Sequence, residues 1–170
     1  MKKVFIILML LFFVTTVYAR VPKRPLVQIG PRASLYISSI RLGMGAEVVF
    51  NPLRFIGVRF DMVEVSFGEG GTFFSLNEGL LYQGCGGSLD VLYYLPIRGL
   101  QPYVHSGFGL FTDGDEANSF FIRGGMGLDF VMNKQTTFFA ESGIMIIDPG
   151  AGDTDFIFRL GGGAKFGILK

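Results

Sequence analysis

From Phe158 to Ile168 the chain reads FRLGGGAKFGI. Phe158, Leu160, Gly162, Ala164, Phe166 and Ile168 share one parity, and Arg159, Gly161, Gly163, Lys165 and Gly167 share the other. Side chains alternate between the two faces of a strand. One face of this segment is therefore apolar, while the other carries glycine and positive charge. Stretches of this kind recur along the chain and constrain the fold more than any other feature. The sheet they build must separate two unlike surroundings.

Eight such stretches are bounded by turn residues: Leu26 to Ser38, Ile40 to Phe50, Arg54 to Phe67, Asn77 to Leu95, Gln101 to Thr112, Ser119 to Met132, Thr136 to Ile147 and Asp155 to Leu169. The junction at Ser38-Ser39 has no strong turn signal. Asn51-Pro52-Leu53, Pro96-Ile97-Arg98-Gly99 and Asn133-Lys134-Gln135 form short connections. Gly68 to Leu76, Asp113 to Asn118 and Asp148 to Thr154 are longer and richer in Gly and Asp. After Met62 the parity slips to Val63, Val65 and Phe67, which marks a bulge or the point where the strand leaves hydrocarbon. An even strand number with alternating short and long connections predicts an antiparallel up-and-down β-barrel.

The first nineteen residues read as a secretory signal peptide. Lys2 and Lys3 are its positive start, Val4 to Val14 its apolar run, and Val17-Tyr18-Ala19 its cleavage site. The run is short for a membrane anchor, which needs roughly 20 apolar residues. No Cys follows to direct lipoprotein processing. One domain remains, residues 20–170. Of 15 basic and 14 acidic residues, Lys2 and Lys3 fall in the leader, so the remainder has one acid in excess. That balance gives no reason to propose nucleic acid as a partner. Cys85 is the sole cysteine, so no intramolecular disulfide forms, and it is expected to pack as a small apolar residue. The hydrophobicity falls on every second residue, as in transmembrane barrels.

The polar parity carries Gln28, Arg32, Ser34, Tyr36, Arg41, Glu47, Arg59, Asp61, Ser88, Asp90, Tyr103, His105, Arg123, Asp129, Glu141, Arg159 and Lys165, interleaved with glycine. A soluble barrel turns such a face to water, and a membrane barrel turns it inward. Three features favour the inward reading. Small residues beside long ones suit a narrow, filled barrel. The charges nearly balance, with Arg32, Arg41, Arg59, Arg123, Arg159 and Lys165 against Glu47, Asp61, Asp90, Asp129 and Glu141, as burial demands. These eleven residues and His105 are the expected interior charge network. Aromatic residues gather at strand ends, as interfacial girdles do. Phe50, Tyr93, Tyr94, Phe130 and Phe166 lie at one end, and Phe67, Phe111, Phe120, Phe121 and Phe156 at the other.

In Phe121-Ile-Arg-Gly-Gly-Met-Gly-Leu-Asp-Phe130 and Phe156-Ile-Phe-Arg-Leu-Gly-Gly-Gly-Ala-Lys-Phe166 the chain resembles the small eight-stranded outer-membrane barrels of the OmpA/OmpX type. The resemblance implies a transmembrane β-barrel in the outer membrane of a Gram-negative cell, with outer-membrane lipid and lipopolysaccharide around it. It also implies assembly by the barrel-insertion machinery, which would read Phe166-Gly167-Ile168 in the last strand. The usual terminal aromatic is replaced by Leu169-Lys170. The peptidoglycan-binding domain of longer members is absent from this sequence.

Chemistry is sparse. His105 is the single histidine, and Ser106 beside it belongs to the opposite face. A satisfied interior histidine, bonded to a neighbour such as Asp90, accounts for it. No HExxH, GxSxG, P-loop or paired-Cys pattern occurs. No cofactor is implied. Asp113, Asp115 and Glu116 in one loop, and Asp148, Asp153 and Asp155 near another, could hold Ca²⁺ weakly or bridge lipopolysaccharide through divalent ions. A solvated loop is the simpler and preferred reading of both. The expected role is structural or interactive, with no specific surface partner indicated and no enzyme activity. Three other readings remain open: a lipid-modifying hydrolase using His105, a soluble periplasmic barrel holding an apolar ligand, and a narrow channel.

Overall fold

Alternating residues at this spacing form a sheet, and the number of strands lets the sheet close. A computed structural model describes residues 23–37, 41–68, 83–95, 101–113, 119–147 and 154–169. Inside its strands the side chains at positions 41, 62–68, 83–87, 110–113, 119 and 155 lie outside the description. Its eight strands are β1 (Val27–Tyr36), β2 (Arg41–Phe50), β3 (Ile56–Gly68), β4 (Gln83–Tyr94), β5 (Gln101–Asp113), β6 (Ser119–Val131), β7 (Thr136–Ile147) and β8 (Asp155–Leu169). Each pairs antiparallel with its neighbour in sequence, and β1 pairs with β8 to close the barrel. Closure leaves no unpaired sheet edge.

Strand limits differ from the sequence reading mainly at the connections. β3 begins at Ile56 rather than Arg54 because Arg54 and Phe55 work as turn residues. The Arg54 carbonyl accepts a hydrogen bond from Arg24 Nη1 at 3.2 Å, and that of Phe55 accepts from Tyr94 N at 2.9 Å. β4 begins at Gln83, and the expected start at Asn77 lies outside the described residues. So do the Ser38-Ser39 junction, the Pro96 to Gly99 turn and the leader. The β6–β7 turn is held by its asparagine: Asn133 Oδ1 accepts from the backbone N–H groups of Gln135 and Thr136, both at 2.8 Å.

The parity slip in β3 is a bulge. Ala46 pairs with Val63, but Glu47 pairs with Asp61, so Met62 is the extra residue. The β3–β4 ladder shifts at the same place, between Asp61 and Glu64. At the closing seam, β1 pairs with β2 through Pro31, whereas the β1–β8 ladder skips Gly30 and Pro31. Proline has no N–H to give a second neighbour.

Candidate functional site: the filled barrel interior

The two parities meet unlike surroundings. Leu42, Phe60, Val91, Phe108, Met126, Ile144 and Leu160 face outward on seven successive strands and are all exposed. Among the described side chains, no outward strand position carries a charge. Arg32, Glu47, Arg59, Asp61, Asp90, Arg123, Asp129, Glu141, Arg159 and Lys165 are all buried. A soluble protein hides its apolar residues, and this barrel hides its charges.

Four arginines and four carboxylates form one lattice across the middle of the barrel. Arg32 reaches Asp61 at 2.5 Å, Glu141 at 2.5 Å and Glu47 at 3.5 Å. Arg59 donates from Nε to Asp90 at 2.8 Å and from Nη1 to Glu141 at 2.6 Å. Arg123 meets Asp61 at 2.5 Å and Asp90 Oδ1 at 2.7 Å, with a further short contact to Asp90 Oδ2. Arg159 sits 3.5 Å from Glu141 and donates to Ser34 Oγ at 2.6 Å and 3.0 Å. Each of these arginines therefore touches a carboxylate from another strand, and most carboxylates are shared. β5 joins through Tyr103, whose hydroxyl donates to Glu141 at 3.0 Å. All eight strands are thus stitched through their side chains as well as their backbones. Buried charges persist only when paired and hydrogen-bonded in this way.

Lys165 and Asp129 form a separate pair at 2.6 Å. It lies below an aromatic column at the short-turn end. Arg24, outside any alternating stretch, folds back so that its guanidinium lies 3.3 Å from the centre of the Tyr94 ring. It donates to Gln101 Oε1 at 2.6 Å and lies 3.7 Å from Asp129. Tyr94 packs edge-on to Tyr103 at 5.8 Å, and Tyr103 lies 6.3 Å from His105. Buried Asn51 ties this end together, donating to the Pro25 carbonyl and Gln28 Oε1 and accepting from the Tyr94 hydroxyl. Burial lowers the Arg24 pKa from its usual value.

Glycine makes the room for this filling. Tyr103 pairs with Gly127, His105 with Gly125, and Phe139 with Gly163. A Cβ on Gly127 would lie 2.8 Å from the Tyr103 ring carbon Cε1, and one on Gly125 would lie 2.8 Å from His105 Nε2. Both separations are below ordinary van der Waals contact.

Some expected positions differ. Tyr94 and Phe121, expected in the outer aromatic girdles, are instead buried at 0 % and 5 % exposure. Both lie on the inward parity of their strands and fill the barrel near its ends. Phe50, Tyr93, Phe130, Phe166, Phe120 and Phe156 do face outward. The side chains of Phe67 and Phe111 lie outside the described residues, as do those of Arg41, Cys85, Asp113 and Asp155. Asp115, Glu116, Asp148 and Asp153 lie outside them entirely. His105 contacts Arg59, at 3.4 Å through Nδ1, rather than Asp90, because Asp90 is already taken by Arg59 and Arg123. Its Nε2 is buried without a hydrogen-bond partner, and the residue lines a cavity of about 10 Å³. That volume holds no more than about one water. Ser106 is exposed on the other face. No group of three or more metal-binding side chains occurs among the described residues.

Unexpected members are Arg24, Asn51 and Gln101, and the buried apolar pair Val49 and Leu92, which packs with Tyr94 and Tyr103. Parity alone would have found Val49 and Leu92, since each continues an inward row. No sequence signal marks Arg24.

No known family profile matches the sequence, and no curated protein matches it. Solved structures do. The N-terminal β-barrel domain of OprF from Pseudomonas aeruginosa aligns with a TM-score of 0.52 at 19% identity, over 82% of this chain and 96% of that one. A de novo designed transmembrane β-barrel aligns with a TM-score of 0.51 at 11% identity, over 86% of this chain and 98% of that one. The fold is that of a transmembrane β-barrel. At these identities the likeness carries the barrel architecture alone.

Proposed function

We propose that the chain is a structural outer-membrane protein that reaches its site by secretion and insertion. After cleavage at Ala19, residues 20–170 form a closed barrel embedded in outer-membrane lipid and lipopolysaccharide. The barrel-assembly machinery inserts it, and both chain ends sit at the periplasmic face with the short turns. The observation that carries this reading is the inversion: an uncharged apolar outside around an ion-paired inside. The strands pair in a closed ring, as hydrocarbon requires.

The interior lattice serves as a plug. Long arginine, glutamate and tyrosine side chains occupy the lumen, so solute flux is small. No reaction is assigned. His105 borders room for about one water, which suits a packed side chain rather than a site for an acyl chain. An interior lined by charge also offers nothing to an apolar ligand.

The test is direct. Protein refolded in detergent should migrate differently on a gel before and after boiling, and should resist protease once in vesicles. Release from cells without detergent would sink the reading. His105→Ala should leave lipid A unaltered by mass spectrometry, and planar bilayers should show little conductance.

A further inference from the structure

Arg24 differs from the other described cations buried in the lumen. Arg32, Arg59, Arg123, Arg159 and Lys165 each stand within 3.5 Å of a carboxylate. Arg24 approaches one no nearer than 3.7 Å, at Asp129 Oδ2. That oxygen is buried and has no hydrogen-bond partner. Neutral groups hold the guanidinium instead: the Tyr94 ring, Gln101 Oε1 at 2.6 Å and the Arg54 carbonyl at 3.2 Å. Arg24 also precedes β1, so no strand ladder depends on it. The anchored backbone begins one residue later. The Pro25 carbonyl accepts from Asn51 Nδ2 at 2.9 Å, and Leu26 N donates to the Leu169 carbonyl at 2.7 Å.

We propose that Arg24 is a lid over the short-turn end of the lumen, occupying a guanidinium seat made by Tyr94, Gln101 and Asp129 and swinging out about Pro25 to expose the Asp129–Lys165 pair. An aromatic face, an amide oxygen and a carboxylate oxygen are the partners a guanidinium takes. Arg24 stops short of Asp129 Oδ2, beyond hydrogen-bond reach, so it fills the seat imperfectly. Its departure strands no acid, because Lys165 still holds Asp129 at 2.6 Å. Withdrawing a lattice arginine would instead take a close partner from a buried carboxylate. The lid therefore opens while the lattice keeps the lumen shut. This goes beyond the structural role proposed above and does not depend on where the barrel resides.

Amine-reactive labelling of the mature chain, refolded in neutral detergent, tests this, with peptide mass spectrometry reading each lysine. Exposed Lys23 and Lys134 report the reagent, and buried Lys165 reports the lid. In the wild type Lys165 should react slowly. R24A and Q101A each remove a charge-assisted hydrogen bond and should speed Lys165 labelling by about tenfold or more. Millimolar methylguanidinium should slow it again in R24A, and the neutral analogue urea at the same concentration should not. Planar-bilayer conductance should stay low in R24A. Equal Lys165 labelling in the wild type and in both heat-shifting variants overturns the proposal and leaves the barrel reading intact. Protection by urea as strong as by methylguanidinium overturns it too, since the seat would not be one for a guanidinium. So does a rise in R24A conductance, which would make Arg24 part of a single plug. Loss of the heat shift in both variants also overturns it, because Arg24 would then belong to the fold rather than to a lid.

Discussion

Tyr103 against Gly127 shows how single residues decide this interior. The phenol occupies the space that a side chain at position 127 would need, and its hydroxyl reaches Glu141. Gly127→Ala should cost about 1–3 kcal/mol, the range for overpacking a filled site. In a Tyr103→Ala background the same change should cost much less, and a double-mutant cycle by urea unfolding measures the coupling. Removing an arginine is harsher. Arg59→Leu takes one of two arginines from Asp90 and one of three from Glu141. A buried pair broken from one side costs about 3–5 kcal/mol, again read by unfolding. The sequence shows which parity each of these residues occupies. It does not show which acid each arginine meets, because those partners come from strands far apart in the chain: Arg32 and Glu141 are 109 residues apart. Nor does residue type mark the inner row reliably. Val49 and Leu92 are apolar and inside, where only their parity places them.

Strands tolerate changes according to whether register survives. In β3, Met62 is the one residue that neither neighbouring ladder accommodates in step. Deleting it leaves Val63 opposite Ala46 and Asp61 opposite Glu47, as before. The deletion should still give a heat-shifting barrel, with stability changed by no more than about 1 kcal/mol. Inserting one alanine after Gly125 in β6 has the opposite consequence. The β6 ladders carry no bulge, so every later side chain changes face, sending Asp129 outward and Leu128 inward. That variant should yield no heat-shifting band. Alternation made the strands legible from sequence because each is long enough to repeat its pattern several times. The bulge was legible as a break in parity. The interruption at Gly30 and Pro31 was not placed at the seam, since only closure reveals that β1 borders β8.

At the scale of the whole barrel, two sets of charges sit in different dielectric surroundings, and salt separates them. The lattice of Arg32, Arg59, Arg123 and Arg159 with their carboxylates is buried by the strands and by end residues such as Tyr94 and Phe121. Lys23 and Lys134 are exposed. Raising salt from about 0.05 M to about 0.5 M shortens the screening length from about 14 Å to about 4 Å, but only where ions can enter. The unfolding free energy from urea titration in neutral detergent should therefore change by less than about 0.5 kcal/mol over that range. Urea is the right denaturant because guanidinium is itself a salt. A stability loss of several kcal/mol would mean that ions reach the lattice. The closed lumen would then be wrong, and a conducting path through the barrel would take its place.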